Sequence, residues 1–285
     1  MPDRVAIVTG ASRGLGKGIA TGLGAAGWTV YVTGRSLGTP TESLGGTIEE
    51  TAALVSARGG TGVAIACDHR HDDEVAAVFA RVESDHGRLD LLVNNAFLFA
   101  PSFFSTAPFW ERPLDEWEMV DVGLRSHYVA AVFAARLMAP AGRGLIVNVS
   151  SFSGRFGGGP VAYDVGKAGV ERLNRATAAD LARVGITTVC FWPGLIRTER
   201  TVANFTADPA VLGGAFTLDD AETPEFSGRV IAALADDADV ARFHGTTVVG
   251  AELAAEVYGI TDLDGSQPAS LRRVYGGGPE EVGRQ

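Results

Sequence analysis

A short apolar run, Val5-Ala6-Ile7-Val8, passes directly into Thr9-Gly10-Ala11-Ser12-Arg13-Gly14-Leu15-Gly16 and then into a helical pattern from about Lys17 to Ala26. Four consecutive apolar residues read as a strand buried on both faces, as in a parallel sheet. A strand, a glycine-rich turn and a helix start together form a phosphate-binding element. The glycines let the backbone approach a pyrophosphate, and the helix start offers free N–H groups and the positive end of its dipole. The spacing is Gly-x-x-x-Gly-x-Gly, a variant of the Gly-x-Gly-x-x-Gly device. An ordinary glycine-capped turn has a similar composition, but a place at the end of the first strand favours nucleotide binding.

The rest of the chain continues that beginning. Strand-like runs fall near 4–9, 29–33, 62–67, 89–94, 143–149, 186–191 and 246–250, and helical patterns near 14–26, 47–58, 72–86, 114–139, 161–184 and 224–236. This alternation predicts a Rossmann-type, doubly wound α/β fold: a parallel sheet of about seven strands with helices on both faces. The 285 residues, 46% apolar, suffice for one such domain. We expect it to span 1–275, with a flexible tail over 276–285 that begins Gly276-Gly277-Gly278-Pro279.

The second strand ends Thr33-Gly34-Arg35-Ser36, and no Asp or Glu lies between Trp28 and Pro40. A dinucleotide with a free ribose 2′-hydroxyl calls for an acidic residue there, whereas a 2′-phosphate calls for an arginine. Arg35, assisted by Arg13, therefore favours NADP(H) over NAD(H). A solvated surface arginine is the plain alternative.

Tyr163 and Lys167 are four residues apart in a helical pattern and so share one helix face. Only two of the 24 basic residues are lysines, Lys17 and Lys167. An ammonium beside a phenol favours the phenolate, and that expectation gives Tyr163 a lowered pKa and an acid/base role toward a carbonyl or alcohol. A chance pair on an amphipathic helix would look the same in isolation. Asn148-Val149-Ser150-Ser151 ends another strand, at the sheet edge where ligands bind. A serine there can donate to a substrate oxygen or simply cap the strand.

Taken together these segments resemble the short-chain dehydrogenase/reductase family, over roughly residues 4–250. Its Thr-Gly-x-x-x-Gly-x-Gly motif matches Thr9 to Gly16, its Asn-Asn-Ala-Gly motif appears as Asn94-Asn95-Ala96-Phe97, and its Pro-Gly motif and later threonine match Pro193, Gly194 and Thr198. Val122-Gly123-Leu124-Arg125, Tyr163 to Lys167, Trp192-Pro193-Gly194 and the stretch Leu253 to Gly265 resemble one branch of the family more closely. The resemblance implies a catalytic set of Ser151, Tyr163 and Lys167. It implies cofactor contacts from Gly10, Ser12, Arg13, Gly14, Leu15, Gly16, Arg35, Asp68, Asn95, Ala96, Tyr163, Lys167, Pro193, Gly194, Ile196 and Thr198. It implies hydride transfer between NADP(H) and a carbonyl or secondary alcohol, with no metal. Lys167 would hold the cofactor ribose, Ser151 would orient the carbonyl oxygen and Tyr163 would supply the proton.

Two positions depart from the family pattern. Gly123 stands where many members carry an asparagine that orders a relay water, so a backbone carbonyl of Val122, Gly123 or Leu124 is expected to hold that water instead, and Gly123→Asn is expected to be tolerated. Ser151 lies 12 residues before Tyr163, where 13 is usual and where Ser150 stands. The local Ser-x-x-Gly pattern favours Ser151, with Ser150 as the fallback. The tolerance expected of Gly123→Asn, with activity similar or raised, holds provided the larger side chain fits.

Phe97, Phe99, Phe103, Phe104, Phe109 and Trp110 crowd the stretch after Asn94-Asn95-Ala96. They form either an apolar pocket wall for a bulky or aromatic substrate or a plug that seals a surface loop. A lid is expected near 199–224, with Gly213-Gly214 as its hinge. The net charge of −10 argues against nucleic acid as a partner. Cys67 and Cys190 read as buried free thiols without metal-ligand spacing. No apolar run reaches about 18 residues, so no membrane span is expected. With no room for a leader before the first strand, a cytoplasmic location is expected. Apolar stripes on 114–139 and 161–184 predict a homodimer or homotetramer. A catalytically weak dinucleotide-binding regulatory protein and an epimerase or dehydratase are the competing functions, the latter disfavoured by the single-domain length.

Overall fold

The computed structural model of the chain describes residues 4–40 and 43–279. Seven parallel strands, β1 (Val5–Val8), β2 (Thr29–Gly34), β3 (Thr61–Ala66), β4 (Leu91–Asn94), β5 (Gly144–Val149), β6 (Ile186–Trp192) and β7 (Thr247–Val249), form one sheet in the order β3-β2-β1-β4-β5-β6-β7. Each strand lies within two residues of its expected place; the apolar runs of the inner strands are buried on both faces of the sheet, while the edge strand β3 is only partly covered. The doubly wound α/β architecture is therefore the one the sequence implied.

Successive side chains of a strand point to opposite faces, and the core divides accordingly. Ala6 and Val8 of β1 pack with Ile19, Leu23, Phe226, Val230 and Ile231 on one face. Val5 and Ile7 pack with Val75, Val78, Val82, Ala130 and Ala134 on the other. Burying each large aliphatic side chain stabilises the fold by about 1.5–3 kcal/mol. On the first face, the helices Gly14–Ala25 and Pro224–Asp236 touch backbone to backbone. A Cβ on Gly18 would fall 2.1 Å from the Pro224 carbonyl carbon, so Gly18→Ala would force the helices apart.

The strand order reverses between β1 and its second neighbour β4, whose register is Ala6 to Leu91, Ile7 to Leu92 and Val8 to Val93. The crevice beyond the carboxyl ends of the strands opens at this switch point. Thr9, immediately after β1, knits the two strand ends together: its hydroxyl accepts from the N–H groups of Asn95 and Ala96 at 2.9 and 3.0 Å.

The expected single helix over 114–139 is instead segmented. A 3₁₀ turn Leu114–Trp117 leads into a helical turn Glu118–Val120, a π-turn Asp121–Arg125 and the α-helix Ser126–Met138. Gly123 lies within the π-turn, where the absence of a Cβ leaves room for a neighbour from another part of the chain. Among the described residues, four short stretches of α- or π-helix lie outside the expected pattern, Ser153–Phe156, Glu199–Ala207, residues 250–258 and Arg272–Tyr275, as do 3₁₀ turns at Phe109–Glu111, Leu218–Asp220 and Val240–Phe243. Of the tail expected over 276–285, only 276–279 are described, with Gly277 against the ring of Phe156, and 280–285 lie outside the described residues. Among the described residues, no helix is long and apolar enough to cross a membrane.

Candidate active site

A cleft of about 390 Å³ runs along the carboxyl ends of the strands. Its floor is the loop after β1. Gly10, at φ +64°, has no space for a side chain, since a Cβ would lie 2.6 Å from the Ala96 Cα. A Cβ on Gly16 would meet the Gly10 carbonyl oxygen at 2.4 Å. These contacts hold the loop flat under the start of the helix Gly14–Ala25. The N–H of Gly14 donates to a carboxylate oxygen of Glu199 at 3.0 Å, so an anionic oxygen already occupies that helix start. The cradle thus fits the pyrophosphate of a dinucleotide. The Asn95 side-chain amide donates to the Thr9 and Gly10 carbonyls, which ties it to the loop from below.

One end of the cleft is lined by Arg13, Arg35, Ser36, Asp68, His69 and Arg70. Arg13 donates to the Ser36 hydroxyl at 3.3 Å. Asp68 accepts both Nε and a terminal nitrogen of Arg70, the latter at 2.6 Å. Burial alone would raise the Asp68 pKa, but these bonds, with the charge of Arg35, hold its carboxyl below the usual range. An acid is present at this end, then, but an arginine already engages it. His69 is buried beside Thr33, Nε2 to hydroxyl 2.9 Å, and burial pushes its pKa down to about 4.

Ser151, Tyr163 and Lys167 converge at the middle of the cleft. The Tyr163 hydroxyl donates to Ser151 Oγ at 3.2 Å. Ser150 points elsewhere, its hydroxyl donating to the Lys167 carbonyl at 2.8 Å. The geometry therefore brings Ser151, not Ser150, to the tyrosine. The helix Val161–Ala182 carries Tyr163 and Lys167 one turn apart. Lys167 is buried, and its ammonium donates to the Val149 carbonyl at 3.1 Å. It lies over two aromatic rings, 5.1 Å from the centroid of Phe97 and 5.8 Å from that of Tyr163. Burial pushes the Lys167 pKa down to about 8.

This arrangement corrects the expected lowering of the Tyr163 pKa. Burial raises the phenol to about 12, opposed only by the Ser151 hydrogen bond. The ammonium lies 5.8 Å from the centroid of the tyrosine ring, and its charge is not among the causes that shift the phenol. The expectation for Gly123 also changes. A Cβ at Gly123 would lie 2.8 Å from Cδ2 of Phe97. An asparagine there would collide with the ring, so Gly123→Asn is not a silent exchange.

A second, smaller cavity of about 220 Å³ adjoins the cleft, sharing Phe99, Ser151, Tyr163, Pro193, Gly194, Leu195 and Thr201 with it. Its other walls are Phe103, Phe104, Phe152, Phe205, Val211, Leu212, Phe216, Leu271 and Tyr275, with Ser153, Asn204 and main chain between them; among the described residues, no charged side chain lines it. Part of the aromatic stretch is thus pocket wall, whereas Phe109 and Trp110 meet edge to face at the surface, 65% and 72% exposed. Phe205 and Phe216 come from the expected lid, where Gly213 and Gly214 both adopt positive φ. Sequence reasoning missed Leu271 and Tyr275, which reach the cavity from a segment more than 100 residues after Tyr163. The Tyr275 ring stacks on Phe152 at 5.2 Å, and no local motif signals that placement. Pro193, Gly194, Ile196 and Thr198 line the cleft beyond β6. Among the described residues, no cluster of three or more His, Cys, Asp or Glu has the arrangement of a metal site.

The sequence profile of the short chain dehydrogenase family matches residues 4–208. The chain is 42% identical to dehydrogenase/reductase SDR family member 1 of Mus musculus, over 93% of this chain and 85% of that protein. A short-chain type dehydrogenase/reductase from Mycobacterium marinum superimposes with a TM-score of 0.72 at 27% identity, covering 86% of this chain and 93% of the other. A metagenomic short-chain oxidoreductase solved in complex with NADP gives a TM-score of 0.67 at 30% identity, covering 86% and 95%.

Proposed function

The chain belongs to the short-chain dehydrogenase family of oxidoreductases, and from that footing we propose that it interconverts a neutral, apolar carbonyl compound and its alcohol with NADP(H) through Ser151, Tyr163 and Lys167. The observation that carries this reading is the shared wall: Ser151 and Tyr163, in contact with each other, line both the dinucleotide cleft and the apolar cavity. A substrate carbonyl in the smaller cavity would meet both hydroxyls.

The loop Gly10 to Gly16, with Ser12 and Leu15, would cradle the pyrophosphate, and Arg13 and Arg35 would face the 2′-phosphate. Asp68 would lie beside the adenine, Asn95 and Ala96 beneath the adjoining ribose. Pro193, Gly194, Ile196 and Thr198 would flank the nicotinamide, and Lys167 would hold the nearby ribose hydroxyls. Bound cofactor supplies the hydride that reaches the carbonyl carbon, or takes it in the reverse direction. Ser151 donates a hydrogen bond to the carbonyl oxygen, and Tyr163 delivers the proton that completes the alcohol. A phenol pushed up by burial stays protonated at neutral pH, which suits an acid. In alcohol oxidation Tyr163 takes the proton back.

The cavity sets the substrate class. A carboxylate or phosphate placed among these aromatic walls, which hold no cationic side chain among the described residues, would be desolvated without a partner. Neutral alicyclic or aromatic carbonyls fit better. NADPH consumption against matched aldehydes, ketones and quinones, with and without a carboxylate, tests both points. We expect kcat/KM at least about tenfold higher for the neutral member of each pair; the reverse order would overturn the substrate class. Tight NADPH binding with no turnover across the panel would favour the regulatory alternative, to which the missing side chain at Gly123 lends some support.

We further propose a homodimer or homotetramer that buries Tyr128, Val161 and Val165, exposed on the helices Ser126–Met138 and Val161–Ala182. A monomeric mass by light scattering at micromolar concentration would refute it. The two buried free thiols, Cys67 and Cys190, suit a reducing, cytoplasmic setting.

A further inference from the structure

Phe97 directly follows Asn94-Asn95-Ala96, and its ring is wedged between two groups distant in sequence. On one side lies Gly123, where any Cβ would come within 2.8 Å of Cδ2 and 3.2 Å of Cε2. The Lys167 ammonium lies over the same ring, 5.1 Å from its centroid. Tyr163 meets the same ring edge to face, centroids 5.3 Å apart at 74°. A cation within about 6 Å of an aromatic face is attracted by the ring quadrupole, most strongly where water is excluded. Lys167 is 6% exposed, and its ammonium meets the Val149 carbonyl and these two rings.

We propose that Phe97 is a positioning residue for Lys167: its ring holds the ammonium by a cation–π contact, and Gly123 lacks a side chain so that the ring can lie there. Residues 97 and 123 then form one device. The π-turn at 121–125 brings the bare Gly123 backbone against the ring, and a side chain at 123 would displace the ring from the lysine. This inference rests on the assignment of Lys167 to the active site. Its test reads the protonation of Lys167 rather than turnover, so an active Tyr163→Phe variant would overturn the proposed chemistry and leave this inference standing.

The chain has only two lysines, Lys17 and Lys167. The full-length protein labelled with 13C at lysine Cε gives two resonances, which a Lys17→Arg variant assigns. Titrating Lys167 measures the contact directly. Phe97→Leu keeps the apolar bulk and removes the π face, so the Lys167 pKa should fall by about half a unit or more from its wild-type value. Phe97→Trp should restore it. Gly123→Ala should lower it in the wild-type background, by moving the ring, and should have no effect in the Phe97→Leu background. An unchanged titration in Phe97→Leu, or a Gly123→Ala shift of equal size in both backgrounds, would overturn the proposal. If Gly123→Ala fails to fold, the Phe97→Leu and Phe97→Trp pair decides alone.

Discussion

The hydroxyl of Tyr163 donates to Ser151 Oγ at 3.2 Å, while the neighbouring Ser150 hydroxyl is turned into the helix to reach the Lys167 carbonyl. One backbone step thus separates a serine that faces the cleft from one that anchors the helix carrying Tyr163 and Lys167. Tyr163→Phe removes only the phenolic oxygen. NADPH should still bind, and turnover should fall by roughly 100-fold or more. Ser151→Ala should cause a loss of similar size. Ser150→Ala should change turnover only a few-fold and lower stability by about 1 kcal/mol, the worth of one buried hydrogen bond. Steady-state kinetics beside thermal melts separate the two serines, and the opposite order would reverse their roles.

Arg35 follows β2 at the basic end of the cleft, close enough to Asp68 for its charge to lower that carboxyl. With no acidic residue of its own at this strand end, the site should prefer NADPH over NADH. Arg35→Asp should abolish or invert the preference, because it replaces a partner for the 2′-phosphate with a group that repels it and accepts a ribose hydroxyl. Fluorescence titration of both cofactors against both proteins measures this. Equal wild-type affinities would count against the assignment.

Glu199 begins the lid helix and accepts from the Gly14 N–H, at the helix start where the pyrophosphate would lie. Two anions compete for one donor, so Glu199→Gln should tighten NADPH binding about two- to fivefold, as expected for a charge at a helix N-terminus. In the protein without cofactor the same change should loosen the lid and speed proteolysis within 199–216. An unchanged dissociation constant together with an unchanged cleavage rate would show that Glu199 is a bystander.

The parts of this molecule legible in the sequence are those decided locally. The strands read correctly because each is a run of apolar residues, and the glycine loop because its spacing is a local necessity of close backbone packing. Tyr163 and Lys167 lie one turn apart on a helix, as expected, because helix geometry alone brings them together. What could not be read depends on partners far along the chain. The π-turn at 121–125 makes sense only once Phe97 lies against Gly123, a contact no helical period reveals. Glu199 reaches Gly14 across 185 residues, and Tyr275 enters the apolar cavity by stacking on Phe152. The shift of Tyr163 was misjudged for a related reason. Spacing along a helix reports that two groups are near each other, whereas burial decides the direction of this shift.

Glu222 offers a test of how firmly the loop after β6 is anchored. It is buried beneath Gly194, accepting from that residue's N–H and from the Ser227 hydroxyl, the latter at 2.9 Å. A Cβ on Gly194 would come within 2.7 Å of the Glu222 carboxylate, so the loop rests directly on it. Burial raises the Glu222 pKa to about 8 from an ordinary 4.5; the two hydrogen bonds oppose the rise and the nearby Asp262 adds to it. The folded protein therefore holds this proton more tightly than the unfolded chain. The stability this contributes is complete below about pH 4.5 and is lost as the pH rises through about 8. Glu222→Gln keeps the shape and cannot titrate, and the Ser227 hydroxyl can rotate to accept from the new amide. Melting temperatures of the two proteins should diverge as the pH is raised, with the variant the more stable by several degrees at pH 9. Parallel curves across pH 5–9 would show that another group governs the alkaline loss of stability and that Glu222 keeps its ordinary charge.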